Sequence, residues 1–304
     1  MHIPVLIDEI IQYLNPQPDE NFVDCTLGFA GHSKAILEKT KPNGRVLGIE
    51  WDSEVCQRIE KEGIERLIVT NDSYANLKEI AEQNNFQPVN GILLDLGMSS
   101  WDLEQSGRGF SFQKDEPLDM RYAAQSLTAE EIINKWPEQE IAEILRDYGQ
   151  ERFAKNIARK VVEVRLQQPI ETTFQLVEVI RKSFPRSYRF GKQHFATKTF
   201  QALRIAVNSE LENLKVVLPQ AVELLTEGGR LVIISFHSLE DRLVKNFLKE
   251  EQQKNTLKIL TKKPITASAS EIASNPRAHS AKLRAALKLQ TRNSKYFKLA
   301  TLNI

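Results

Sequence analysis

The sequence predicts an α/β protein, a doubly wound parallel sheet interrupted by an all-helical insert. Three observations carry that expectation. Short apolar runs around Val23, Leu47, Ile68 and Leu93 take turns with helical patterns, a βαβαβαβ order whose strands are apolar on both faces. Three of those runs carry a carboxylate at the carboxyl end, Asp24, Glu50 and Asp95, where open α/β sheets hold their ligands. From Trp101 to Gly229 helical patterns dominate, and no strand pattern returns before Arg230.

Ile7, Ile10, Ile11 and Leu14 have helical spacing, and Asn15-Pro16 stops that helix. Asn21 to Thr26 reads as the first strand. Gly28 and Gly31 then allow positive φ or close backbone approach, and Ser33 is expected to cap a helix reaching Lys39. Arg45 to Glu50 is the second strand, Asp52 or Ser53 caps the next helix, and Leu67 to Thr70 is the third strand. A polar loop through Tyr74 and a further helix lead to the fourth strand, Gly91 to Asp95. Helices are expected over Ala129–Lys135, Glu138–Tyr148, Glu151–Arg165 and Thr172–Phe184, followed by a basic loop, Pro185–His194. Thr197 to Leu225 reads as one or two helices returning to a fifth strand, Arg230 to Ser235, with a helix opening at Ser238. Leu257–Leu260 and Tyr296–Leu302 are the expected last strands, and Thr266–His279 the expected mobile loop between them. The domain boundaries that follow are a discontinuous sheet domain, 1–104 with 201–304, and a helical insert, 105–200.

With 41% hydrophobic and 27% charged residues over 304, the composition is that of a globular chain. No apolar run approaches the roughly 20 residues of a membrane span, and Met1-His2-Ile3-Pro4-Val5 lacks the pattern of a signal peptide. Cys25 and Cys56 have neither metal-ligand spacing nor a disulfide framework, so a reducing cytoplasm is expected, with no metal and no membrane partner. The net charge of +1 conceals segregation. Arg181 to Ser209 holds seven Lys/Arg and no acid, and Gln252 to the end holds eleven against Glu271 alone. Aromatics lie among both blocks, Phe184, Tyr188, Phe190, Phe195, Tyr296 and Phe297, a mixture suited to phosphates and unstacked bases.

Glu50 at the end of the second strand can accept hydrogen bonds from both ribose hydroxyls of a nucleoside. Gly28-Phe29-Ala30-Gly31-His32 does not fit G-x-G-x-x-G, so the turn favours S-adenosylmethionine, which carries no phosphate, over a dinucleotide. Sequence blocks in order along the chain sharpen this. They are His2-x-Pro4-Val5-Leu6, Thr26-Leu27-Gly28 with Gly31-His32-Ser33, Gly91 to Gly97 with Ser99-Ser100, Arg108 to Phe112, Pro117 to Arg121, Ala196 to Arg204, Ile234 to Arg242, and Asn275 to Ala278. On these blocks the chain resembles, almost end to end, the bacterial 16S rRNA (cytosine-N4) methyltransferases of the RsmH/MraW type.

That resemblance implies a Rossmann-like class I methyltransferase sheet and S-adenosylmethionine as cofactor. It implies Ala30, Gly31 and His32 along the methionine part, Glu50 at the ribose, Tyr74 against adenine, Asp95 by the amino end or adenine, and Asp102 completing the wall. The substrate it implies is a cytidine of the decoding region in an assembling small ribosomal subunit. Cytosine N4 is a poor nucleophile, so groups must hold it in line and draw on its hydrogens. Asp95, Ser99 and Ser100 after the fourth strand, and His237 with Ser235 after the fifth, are the candidates.

The family usually has Gly at the position of Ala30, Asp at that of Glu50, commonly Phe at Tyr74 and often Gln at Asp102. Ala30 is expected to reshape the turn, because a Cβ disfavours positive φ. Simpler roles stand beside the functional ones: Tyr74 in packing, His32 as a structural hydrogen-bonding residue, Asp119 with Arg121 as a pair, Phe110 and Phe112 in the insert core, Arg204 in an interhelical ion pair. Two other functions fit parts of the pattern. One is a non-catalytic rRNA-binding assembly factor on this fold, and the other a dinucleotide-dependent oxidoreductase.

Overall fold

A computed structural model describes residues 4–124, 127–184 and 194–290, the side chain of Ser100 apart. All but His194 of the basic loop expected over 185–194, and the strand expected at 296–302, lie outside these residues. The chain divides into two compact units, one built from the segments before Met98 and after Asn213, the other from Met98–Asn213. The sequence-based boundaries at 105 and 200 fall inside the second unit.

The first unit is a seven-stranded sheet. Its strands are β1 (Phe22–Asp24), β2 (Val46–Glu50), β3 (Leu67–Asn71), β4 (Val89–Asp95), β5 (Leu225–Ser235), β6 (Leu257–Ile259) and β7 (Lys282–Lys288), in the order β3-β2-β1-β4-β5-β7-β6. Pairing is parallel from β3 to β5 and antiparallel at β5–β7 and β7–β6. Alternate strand residues feed opposite faces. Ile92, Leu94, Leu231 and Ile233 pack with Leu77 and Ile80 of α4 (Leu77–Gln83), Val217 and Leu218 of α11 (Glu210–Leu224), and Val244 of α12 (Ser238–Gln253). Leu93, Val232 and Ile234 pack with Ile10 and Leu14 of α1 (Ile7–Leu14) and Ile36 of α2 (Gly31–Lys39). Both faces are covered, as the doubly wound expectation requires.

Two readings are corrected, and one strand is new. The stretch read as a mobile loop contains α13 (Ala269–Ser274) and a 3₁₀ turn, Pro276–Ser280. Glu271 of α13 accepts the Leu6 N–H at 2.7 Å, across 265 residues of sequence. The strand beside β5 is β7, in which buried Leu283 and Ala285 join one core face and Ala286 the other. Ser33 does not cap a helix. α2 begins two residues earlier, with Ala30 preceding it at φ 58°, ψ 25°.

Ala30 therefore takes the left-handed conformation that its Cβ was expected to avoid. That conformation costs an L-residue roughly 1–2 kcal/mol, while glycine costs about 0.4–1 kcal/mol through the freer unfolded chain. Ala30→Gly is expected to stabilise the protein by up to about 1 kcal/mol in urea titration. A loss of stability would mean that the buried methyl group outweighs the strain.

The second unit is helical, with α5 (Ser100–Glu104), α6 (Ala129–Lys135), α7 (Glu138–Asp147), α8 (Ala154–Arg165), α9 (Thr173–Lys182) and α10 (Thr197–Asn208). Its core collects Ile132 and Ile133 of α6, Leu145 of α7, Ile157 of α8, Leu176 of α9 and Leu203 of α10. Phe110 lies in this core and Phe112 packs against it, stacked on His194 at 4.4 Å. Asp119 and Arg121 form the expected pair, Nε to Oδ1 at 2.7 Å. Ser209 at φ 49° separates α10 from α11, so the return to the sheet is two helices.

Candidate active site at the carboxyl edge of the sheet

β1 has β2 on one side and β4 on the other, which makes their carboxyl ends the point where the strand order reverses. Ligand crevices of open α/β sheets form at that point. Here the chain places a connected set of polar side chains. Buried Asp24 accepts from the Ser33 hydroxyl at 2.7 Å and from the Thr26 N–H at 3.2 Å. Thr26 Oγ1 in turn accepts the Asp95 N–H at 2.7 Å, 69 residues along the chain. His32 Nε2 lies 3.2 Å from Asp95 Oδ2. Since a carboxylate only accepts, the proton of this hydrogen bond sits on Nε2.

The electrostatics follow from burial and neighbours. Burial pushes the Asp24 carboxyl above its ordinary value, against Ser33, His32 and the Thr26 N–H, which favour the anion. Burial works against a charged His32, but the hydrogen bond and charge of Asp95, with Asp24 behind it, prevail and raise the imidazole above 6.5. His32 Nδ1 is buried and has no hydrogen-bond partner among the described residues.

Glu50 closes the other side of the turn. Its Oε2 accepts the Gly28 N–H at 2.9 Å and its Oε1 the Asp52 N–H at 2.8 Å. The carboxylate thus ties the end of β2 to the turn after β1. Gly28 is at φ +48°. Gly31 is needed for a different reason than φ: a Cβ there would stand 2.5 Å from Pro4 Cγ. Tyr74 opens a 3₁₀ turn, Tyr74–Asn76, capped by Ser73 Oγ accepting the Ala75 N–H at 3.2 Å. Its ring is half-buried against the core that includes Leu77.

His237, expected to face the acceptor base, is the N-cap of α12. Its Nδ1 accepts the Glu240 N–H at 3.4 Å, while the Glu240 carboxylate accepts the N–H groups of Phe236 at 2.8 Å and His237 at 3.2 Å. The ring nitrogen Nε2 lies 3.0 Å from Glu240 Oε1. Ser235 Oγ donates to the Lys282 carbonyl at 3.4 Å.

Ser99 and Asp102 belong to the helical unit and come together there. The Ser99 hydroxyl donates to Asp102 Oδ2 at 2.7 Å and accepts the Asp102 N–H at 3.2 Å, a capping box that opens α5. Ser100 is the first residue of α5, and its side chain is outside the described part. Arg204 takes the ion-pair role, with Nη2 donating to Glu210 Oε2 at 2.9 Å. The sequence-predicted residues therefore fall into two sets: Ala30, Gly31, His32, Glu50, Tyr74, Asp95 and His237 on the sheet unit, and Ser99, Ser100 and Asp102 on the helical unit.

Sequence reasoning missed the roles of Thr26 and Ser33. Both are small hydroxyl residues flanking the turn, and their partners are apparent only once β1 lies beside β4.

Comparison with known proteins places this geometry in a family. The ribosomal RNA small subunit methyltransferase H of Kosmotoga olearia is 48% identical over 291 residues, covering 94% of this chain and 96% of that protein. The protein of the same name from Heliobacterium modesticaldum is 44% identical over 310 residues, covering 95% of this chain and 99% of its own length. That from Thermotoga neapolitana is 46% identical over 292 residues, 94% of this chain and 95% of that one. The MraW methylase family model matches residues 1–289. With that match and these identities across nearly the whole chain, the protein belongs to the MraW methylase family.

Proposed function

We propose that this protein methylates N4 of a cytidine in small-subunit ribosomal RNA, with S-adenosylmethionine as methyl donor and the assembling small subunit as its substrate. The observation that carries this reading is the polar set at the carboxyl ends of β1, β2 and β4 in a member of a methylase family. The amino-acid part of the cofactor carries an ammonium and a carboxylate, and the unpartnered, buried Nδ1 of His32 fits either. As a neutral ring it accepts from the ammonium, and as a cation it donates to the carboxylate. Glu50, an acceptor at the carboxyl end of β2, suits the ribose hydroxyls, and Tyr74 suits a face of the adenine.

The cofactor supplies an electrophilic methyl group on a sulfonium. The chain's part is to hold the base edge, keep water out and draw on the N4 hydrogens, for which Asp95 on the sheet unit is the proposed group. Methylation at carbon 5 would need a thiolate attacking the ring. Burial pushes the Cys25 thiol well up, and pushes the Cys56 thiol up to about 11, so neither supplies one readily.

The test is transfer of labelled methyl from S-adenosylmethionine to small subunits lacking the modification, followed by nucleoside analysis. N4-methylcytidine is expected. Label at carbon 5 or on ribose, or no label with intact cofactor binding, would overturn the assignment, the last in favour of an assembly factor.

A further inference from the structure

The helical unit carries its charge unevenly. At one end the start of α8, the end of α9 and the start of α10 meet. Phe153, just before α8, contacts Phe184, just after α9, with ring centroids 5.1 Å apart. Phe184 in turn contacts Phe195 at 6.2 Å, and Lys198 Nζ donates to the Gln150 carbonyl at 3.0 Å. Arg152, Lys155 and Arg159 project from this end, all exposed; Lys155 and Arg159, four residues apart, share one face of α8, and Arg152 lies in the turn just before it. Four residues of helix set Lys155 and Arg159 about 6 Å apart along the axis, and Arg152 extends the row past the helix start. Exposed Lys182 closes α9 beside it.

The carboxylates nearest in sequence do not neutralise this row. Asp147 is held by Arg146 at 2.7 Å, Glu178 by Arg181 at 2.7 Å, and Glu163 by Lys160 at 2.9 Å. Glu151 is buried and accepts the Phe153 N–H at 2.9 Å. None of Arg152, Lys155 and Arg159 has a carboxylate within ion-pair distance among the described residues. Arg152 lies over the Phe153 ring, 5.8 Å from its centroid, which orients the guanidinium without discharging it. Between the cations the exposed residue is Asn156, so the face offers no apolar strip for a lipid surface.

We propose that Arg152, just before α8, with Lys155 and Arg159 of α8, forms a docking face for the phosphodiester backbone of ribosomal RNA, outside the catalytic edge. This rests on the rRNA substrate proposed above and adds the surface that grips it. A row of unneutralised cations reads phosphates and not bases, so it contributes affinity and register without sequence preference.

The experiment compares full-length protein with the triple variant Arg152→Ala/Lys155→Ala/Arg159→Ala for binding a small-subunit rRNA fragment over a range of salt. A control triple variant, Lys41→Ala/Lys78→Ala/Lys135→Ala, makes the same change in net charge at exposed lysines already paired with acids. Each phosphate contact to a single strand contributes about 0.7 to the slope of log affinity against log salt. The α8 variant should lose at least about tenfold in affinity and about two units of slope, with S-adenosylmethionine affinity unchanged. The control should stay within about twofold of the parent. An α8 variant no different from the control overturns the docking face alone. A face that instead binds vesicles of anionic phospholipid, with the RNA slope unchanged, overturns it in favour of a membrane. A parent that neither binds nor methylates the RNA overturns the substrate reading and the docking face together.

Discussion

Replacing Asp95 by alanine is expected to lower methyl transfer by about a hundredfold or more, the scale on which positioned acid–base groups act. Two losses combine. The carboxylate at the end of β4 disappears, and His32 Nε2 is left buried without its acceptor. Steady-state methylation of undermethylated small subunits measures the loss, and activity within about fivefold of the parent would remove Asp95 from the site. Asp95→Asn separates charge from shape, because the amide still accepts from Nε2–H but no longer favours the imidazolium. Asp95 is a principal reason why the His32 pKa lies above 6.5. A raised histidine pKa gives stability that is fully present below the unfolded value and disappears as pH rises through the folded one. The stability difference between parent and Asp95→Asn should therefore be largest below pH 6.5 and shrink as pH climbs through the raised pKa of His32. A difference independent of pH from 5 to 9 would show that the imidazole stays neutral throughout.

The second large effect is structural. Asn208, at the end of α10, is buried and makes three side-chain hydrogen bonds, two to the segment around Met120 and Tyr122 and one within its own helix. Its Oδ1 accepts the Tyr122 N–H at 2.9 Å, and its Nδ2 donates to the carbonyls of Met120 at 2.7 Å and Arg204 at 3.0 Å. Asn208→Ala removes these partners from buried backbone groups and should destabilise the protein by about 3 kcal/mol. Asn208→Asp should be at least as harmful, since a carboxylate would face the two carbonyls that the amide donates to. Urea denaturation followed by far-UV circular dichroism measures both, and losses under about 1 kcal/mol would mean that water replaces the side chain.

The parallel strands were legible because burial on both faces demands apolar runs, and Val23, Leu47 and Leu93 stand in such runs. β7 was not, because Lys282, Arg284 and Lys288 hide its pattern and its core residues include two alanines with little strand preference. Arg284 is buried there only because Asp241 of α12 accepts from its Nε at 2.7 Å, a partner 43 residues away. At the candidate site the types were legible and the pairings were not. An acid at the ends of β1, β2 and β4 could be read from the chain, but Thr26 holding Asp95 depends on β1 lying beside β4. His237 shows a structural role that the chain alone hides. A polar residue after β5 reads as chemistry, whereas His237 with Glu240 three residues on makes a capping box with histidine in the place usual for serine or threonine.

The interrupted sheet also sets an order of assembly on the nascent chain. β1 to β4 emerge first, and the open edge of β4 then waits for β5, which begins at Leu225. The whole helical unit, Met98–Asn213, emerges in the interval. The bond from Leu6 to Glu271 closes later still, after almost all of the chain has been made. An exposed parallel edge is a template for mispairing, so truncations ending between Asn213 and Leu225 should aggregate, whereas the longer chain covers that edge with β5 and β7.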